Sequence, residues 1–218
     1  MSGSLSFFFL CMPLLLLDVD GTITSTWPLE RTTMLFMADC LDDDASMRRL
    51  EAIAAQSDHA LSLVELMNAV FSDVVYDLPD FYRAYDQAQR ELLREKLLPS
   101  LSVYLSPEML AWTSDLNVSV GIATGSPSQE VLCVLSELGC ESLVDPAFVV
   151  DRDTGGLEKA TGVPLRTLAD RATGKTVFIG DSHSDREGAE RANIFFIQTD
   201  STAAGLRRSL LRARLIFE

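Results

Sequence analysis

Four aspartates set the chemistry. Asp18 and Asp20 stand one residue apart at the end of an unbroken leucine run, in LLLLDVDGTIT. Asp181 and Asp185 stand in FIGDSHSD, again directly behind an apolar run. Like charges this close raise each other's pKa, and an apolar setting adds to the cost. A cation among them would offset the repulsion. Hard oxygen donors suit Mg²⁺, which takes a few carboxylates and completes its shell with phosphate oxygens. Thr124 in VGIATGSP, Lys159 in GGLEKATGVP and the backbone N–H groups after Asp18 would supply phosphate contacts. The pattern reads as a phosphate-plus-Mg²⁺ site.

Such a site needs elements that bring distant residues to one edge. LLLL, VSVGIA, AFVV, TVFI and IFFIQT are short, continuous apolar runs, the pattern of strands buried on both faces. Amphipathic helical segments alternate with them: SPEMLAWTSDL, SPSQEVLCVLSELG, VPLRTLADRA and SDREGAERAN. Ser106 caps the first, with Pro107 at its first position. Ser126 with Gln129, and Ser184 with Glu187, have capping-box spacing, and Gly139 ends the second helix. The alternation predicts an α/β fold, a mainly parallel sheet with helices on both faces, and ligands in such sheets bind beyond the C-terminal strand ends. Asp18, Thr124 and Asp181 all follow strands there.

From about Leu29 to Leu98 the rhythm is helical throughout. SMRRLEAIAAQ, SLVELMNAVFSDV and DFYRAYDQAQRELLREKLL space apolar residues by three and four, and Pro99 stops the last. Asp42–Asp44 read as a solvated helix start. The organisation expected is a discontinuous core over 12–24 and 100–218, with an all-helical insertion over 25–99. Residues 1–11 read as an upstream extension. Their apolar run lacks the basic n-region and cleavage site of a signal peptide and is too short to span a membrane.

Composition narrows the function. The net charge of −14 argues against a nucleic-acid surface, which must neutralise phosphates with Lys and Arg. Four cysteines without a CxxC pair, and two distant histidines, suggest neither a zinc site nor a disulfide framework. The expected setting is cytoplasmic, with no membrane partner. The chain would act as a monomer or homodimer.

DVDGT resembles the first motif of the haloacid dehalogenase superfamily, the aspartate-nucleophile phosphatases. VGIATGSP is similar to the second motif, Lys159 to the third and FIGDSHSD to the fourth. The resemblance runs from Leu14 to about Ile197 and implies a Rossmann-like three-layer core. The helical insertion resembles, in position and helicity, the cap of the phosphoglycolate-phosphatase-like branch. Carried over by motif, Asp18 would be the nucleophile and Asp20 the general acid and base. The Asp20 backbone carbonyl would also touch Mg²⁺. Thr124 and Gly125 would bind the phosphoryl group, with Lys159 stabilising its charge. Asp18 and Asp181 would hold Mg²⁺ directly, and Asp185 would do so through water or by holding the first-bound ligands in place.

The resemblance implies a Mg²⁺-dependent phosphatase working through an aspartyl-phosphate. A phosphomutase of the β-phosphoglucomutase type shares every core residue. A dehalogenase would leave Asp20 unexplained. A noncatalytic binding module on the same scaffold is expected to lose a motif, and none is lost here. Lys175 is the rival to Lys159, but it precedes the TVFI strand and would lie at the opposite end of the sheet. His183 reads as an exposed loop residue and Ser126 as a helix cap. Trp27 and Arg31 stand where the chain enters the helical region, as entrance or as framework.

Overall fold

The computed structural model describes residues 12–55, 63–74, 77–97 and 99–218. The expected extension, residues 1–11, lies outside them, as does His59. The chain forms two compact units, one of Met1–Ser25 with Ser102–Glu218, the other of Thr26–Leu101.

The first unit begins with β1 (Leu14–Leu17) and β2 (Thr24–Ser25). Among the described residues, the second holds four helices, α1 (Trp27–Cys40), α2 (Asp44–Ala54), α3 (Leu63–Val70) and α4 (Leu78–Arg94). The first unit then resumes with β3 (Ser102–Val103), α5 (Pro107–Asp115), β4 (Ser119–Ala123), α6 (Ser128–Leu138) and β5 (Val149–Val150). It ends with α7 (Val163–Arg171), β6 (Thr176–Gly180), α8 (His183–Ala192), β7 (Phe195–Gln198) and α9 (Ala203–Phe217).

Five strands form one sheet in the order β5-β4-β1-β6-β7, every pair parallel. Its strands are nearly continuous apolar runs because both faces are covered. On one face Leu14, Leu16 and Phe178 pack against Leu165 and Leu168 of α7 and Ala189 and Ala192 of α8. On the other, α5 and α9 lie together against β4, β6 and β7. All four leucines of β1 are therefore fully buried. The architecture is a Rossmann-like three-layer α/β fold.

Register carries the fold to its site. Leu17 pairs with Ile122 of β4 and with Ile179 of β6. The next residues, Asp18, Thr124 two positions on, and Asp181 two positions on, thus leave three adjacent strands at one edge. Beyond that edge β2 and β3 form an antiparallel ribbon, with Thr24 opposite Val103 and Ser25 opposite Ser102. The chain leaves for the helical unit and returns from it side by side.

The helical unit has its own core. Met34, Leu50, Leu66, Val70, Phe81 and Tyr85 are buried together, and Phe81 meets Phe71 and Tyr85 at ring-centroid distances of 6.4 and 5.8 Å. Asp43 starts α2, accepting from the N–H groups of Ala45 and Ser46. Helix α4 ends at Arg94, five residues before Pro99, and Lys96 turns the chain out with φ +57°.

Two expected caps differ. Helix α6 begins at Ser128 with Pro127 as its N-cap, so Ser126 is not the cap. Distant acids satisfy the helix start instead: Ser128 donates its N–H to Asp153 Oδ2 (3.0 Å) and its hydroxyl to Asp151 Oδ2 (2.7 Å). Helix α8 is boxed by Ser182 and Asp185, two residues before the Ser184–Glu187 spacing. Of AFVV only Val149–Val150 is strand; Pro146–Phe148 form a 3₁₀ turn.

Candidate active site

Asp18 follows β1 directly, and its N–H donates to Ile179 O (3.0 Å), which prolongs the ladder with β6. The side chain is only 5% exposed. Lys159 reaches it from a 3₁₀ stretch, Gly156–Thr161, set between two left-handed glycines. The ammonium donates to Asp18 Oδ1 at 2.9 Å and lies 2.5 Å from Asp185 Oδ1. It also sits 5.8 Å from the centroid of the Phe178 ring. Lys175 is elsewhere: its Nζ donates to the Ile216 carbonyl of α9 (2.6 Å).

Asp185 is completely buried and bound to its own helix start. Its Oδ2 accepts from the Ser182 hydroxyl (2.6 Å) and N–H (3.1 Å), while Asp185 N–H donates to Ser182 Oγ (3.2 Å). Ser182 thus fixes the carboxylate that faces Lys159. Its signal in the sequence is the Ser-x-x-Asp spacing within GDSHSD. His183, between them, is exposed and lies 3.7 Å from Glu187.

Asp181 Oδ2 accepts from Ser201 Oγ (3.2 Å). Gly21 makes room for this carboxylate: its φ is +67°, and a Cβ there would overlap the Asp181 carboxyl group. A Cβ on Gly180 would likewise strike the Asp185 carboxyl. The glycines of DVDGT and FIGDSHSD therefore clear space for aspartates.

Ligand oxygens of Asp18, Asp181 and Asp185 all lie within 4.8 Å of one another. Among the described residues, this is the one such group of three or more His, Cys, Asp or Glu. Asp20 is exposed and outside that group, yet close enough for its charge to act on Asp181. Thr124 is buried, with its Oγ1 accepting from Ser126 N–H (3.1 Å), and Gly125 follows it half-buried.

The electrostatics follow from burial. Desolvation, then the Asp185 charge, push the Asp18 carboxyl up to about 8 against the pull of Lys159. Desolvation, then Asp185 and Asp20, raise Asp181 to about 6. Burial pulls the Lys159 ammonium down, but Asp18 and Asp185 outweigh it and hold the lysine charged. Three carboxylates facing one ammonium leave two negative charges that a divalent cation would balance. Asp185 Oδ1 is buried and pairs with the Lys159 ammonium at 2.5 Å. An oxygen-only donor set with such an oxygen fits a hard cation.

Two residues have no sequence signal for a place here. Ser201 lies 20 residues beyond Asp181, and Gln198, whose Nε2 donates to the Asp181 carbonyl (3.2 Å), sits on β7.

The fold is widely shared among solved structures. A candidate phosphoglycolate phosphatase from Lactobacillus plantarum is 19% identical, with a TM-score of 0.60 and 84% of each chain covered. A candidate β-phosphoglucomutase from Thermotoga maritima is 20% identical at a TM-score of 0.62, covering 94% of this chain and all of that one. CbbY from Rhodobacter sphaeroides, solved in complex with phosphate, is 16% identical at a TM-score of 0.55, with 87% of each chain covered. No curated protein sequence matches the chain. The family model of haloacid dehalogenase-like hydrolases matches residues 12–193, which take in Asp18, Lys159, Asp181 and Asp185 alike, and the chain belongs to that family.

Proposed function

We propose that the protein is a Mg²⁺-dependent phosphatase of a small phosphorylated metabolite, working through an aspartyl-phosphate. The observation that carries this reading is the buried Asp18–Lys159–Asp185 constellation, with Asp181 beside it. Asp18, Asp181 and Asp185 would hold Mg²⁺, with the Asp20 carbonyl. The ion would neutralise charge on the phosphoryl oxygens when bound.

The remaining steps belong to the chain. An Asp18 carboxylate oxygen attacks phosphorus in line with the ester oxygen, forming the acyl-phosphate bond as the ester P–O bond breaks. Asp20, solvent-accessible and two residues along, gives its proton to the leaving oxygen. The ionised Asp20 then takes a proton from water, whose oxygen attacks phosphorus and releases Asp18 and phosphate. Lys159 keeps Asp18 oriented and offsets the charge of the transferring group. Thr124 and Gly125 would bind a phosphoryl oxygen. The four-helix unit would be the cap that selects the leaving group.

Hydrolysis of p-nitrophenyl phosphate with and without Mg²⁺ tests this directly. Mg²⁺-dependent turnover that Asp18→Asn abolishes is expected; turnover unaffected by that substitution would reject the reading. A phosphomutase is the second reading, favoured by the fold likeness along the whole length of the Thermotoga maritima structure. Transfer of phosphate to a sugar phosphate in preference to water would select it.

A further inference from the structure

Asp181 owes its orientation to a turn far along the chain. Between β7 and α9, Ser201 takes a left-handed backbone, φ +53°, which serine adopts uncommonly. From there its hydroxyl reaches Asp181 Oδ2 at 3.2 Å. The turn is pinned on both sides. Asp200 accepts from the Thr202 hydroxyl (2.5 Å) and pairs with Arg208 of α9 (2.5 Å). Thr202 caps α9 through the N–H of Gly205 (2.9 Å). Before the turn, Gln198 donates to the Asp181 carbonyl (3.2 Å), and Arg186 of α8 holds the Gln198 side-chain oxygen. The Ser201 hydroxyl therefore has little freedom to drift. Gly21 approaches the same carboxylate so closely that no Cβ fits between them.

We propose that Ser201 is a positioning residue for the metal centre: its hydroxyl fixes the rotation of the Asp181 carboxylate, so that a cation held with Asp18 and Asp185 meets a preset oxygen. This rests on the Mg²⁺ reading of the site. Ser201 touches neither the reacting phosphorus nor Asp18, so it governs affinity for the ion and leaves the chemical step alone. Outer groups that orient metal ligands typically change affinity by about 10- to 100-fold.

The test is calorimetric titration of the full chain with Mg²⁺, comparing the native protein with Ser201→Ala, Ser201→Gly and Asp181→Asn. Both Ser201 variants should bind Mg²⁺ about 10-fold more weakly. Their kcat on p-nitrophenyl phosphate at saturating Mg²⁺ should stay within about twofold of native. Glycine adopts φ +53° freely, so Ser201→Gly relieves the turn while removing the hydroxyl. Native affinity in Ser201→Gly, with loss in Ser201→Ala alone, would make the effect one of backbone shape and overturn the proposal. Native affinity in both, with binding lost in Asp181→Asn, would overturn the role of Ser201 and spare the metal site. A native protein that binds no Mg²⁺ would overturn both.

Discussion

Replacing Lys159 by Met removes the single ammonium that faces Asp18 and Asp185 while keeping much of its volume. Both carboxylates are buried, at 5% and 0% exposure, so water cannot take over the lost charge. Breaking a buried pair by deleting one partner costs about 3–5 kcal/mol. For a chain of this size each kcal/mol moves Tm by about 2–4 °C, so a fall of about 6–20 °C is expected at pH 7.5 in EDTA. The deficit must depend on pH. Asp18 already titrates near 8 with Lys159 present, and it rises further without it. A raised carboxyl contributes stability below its unfolded value near 4 and loses it as pH rises through the folded value. With Asp18 protonated in either folded protein up to about pH 7, the Lys159→Met deficit should be flat from pH 5 to 7 and widen as pH rises through 8, and Mg²⁺ should recover part of it. Differential scanning calorimetry across pH 5–9 measures this, with Lys175→Met as control, since that lysine is exposed and its Nζ donates to the Ile216 carbonyl of α9. A Lys159→Met protein within about 2 °C of native at pH 7.5, or a deficit that does not widen between pH 7 and 9, would refute Lys159 as the counter-charge.

Asp18→Asn should lower kcat by about 10³-fold or more, whereas Asp20→Asn should lower it by about 10²–10⁴-fold and leave calorimetric Mg²⁺ binding near native. Metal-free protein should lose stability as pH rises from 4 to 8, through the raised carboxyls of Asp181 and Asp18. Mg²⁺ should bind more tightly over the same span with net proton release, detectable by titration in buffers of different ionisation enthalpy; pH-independent binding would contradict it. Ser182→Ala removes the α8 cap hydroxyl and leaves Asp185 Oδ2 with the Ser182 N–H, so chemical unfolding should show a loss of about 0.5–2 kcal/mol.

The sheet was legible because its strands are short, wholly apolar and punctuated by the residues of the site. LLLL, VGIA and TVFI needed no partner to be read as buried, and the aspartates behind them fell at one edge once the strands paired in parallel. Proline marked the start of α5 for the same local reason. Where a distant group decides the outcome, sequence spacing misleads. Ser126 has the right offset for a cap, yet Asp151 and Asp153 arrive from beyond β5 and satisfy an α6 start one residue later. Ser184 lost to Ser182 because Asp185 is drawn inward by Lys159, which makes Asp185 the third helical residue. Helix α9 went unassigned because its buried stripe mixes Leu206 and Leu210 with Gly205, Ser209 and Ala213. Ser201 could not be found by pattern, since its contact with Asp181 exists only after β6 and β7 are paired.

The ribbon of β2 and β3 has a consequence for how this gene can change. Thr24 faces Val103 and Ser25 faces Ser102, so the intervening chain begins and ends one strand spacing apart, about 5 Å. To the sheet, that long excursion is equivalent to a hairpin turn. Loop closure becomes costlier only logarithmically with length. Any segment whose two ends meet at that spacing can therefore be spliced between Ser25 and Ser102 without shifting β1. The helices form an exchangeable cassette, and recombination at this one joint would leave the aspartates of the sheet unchanged.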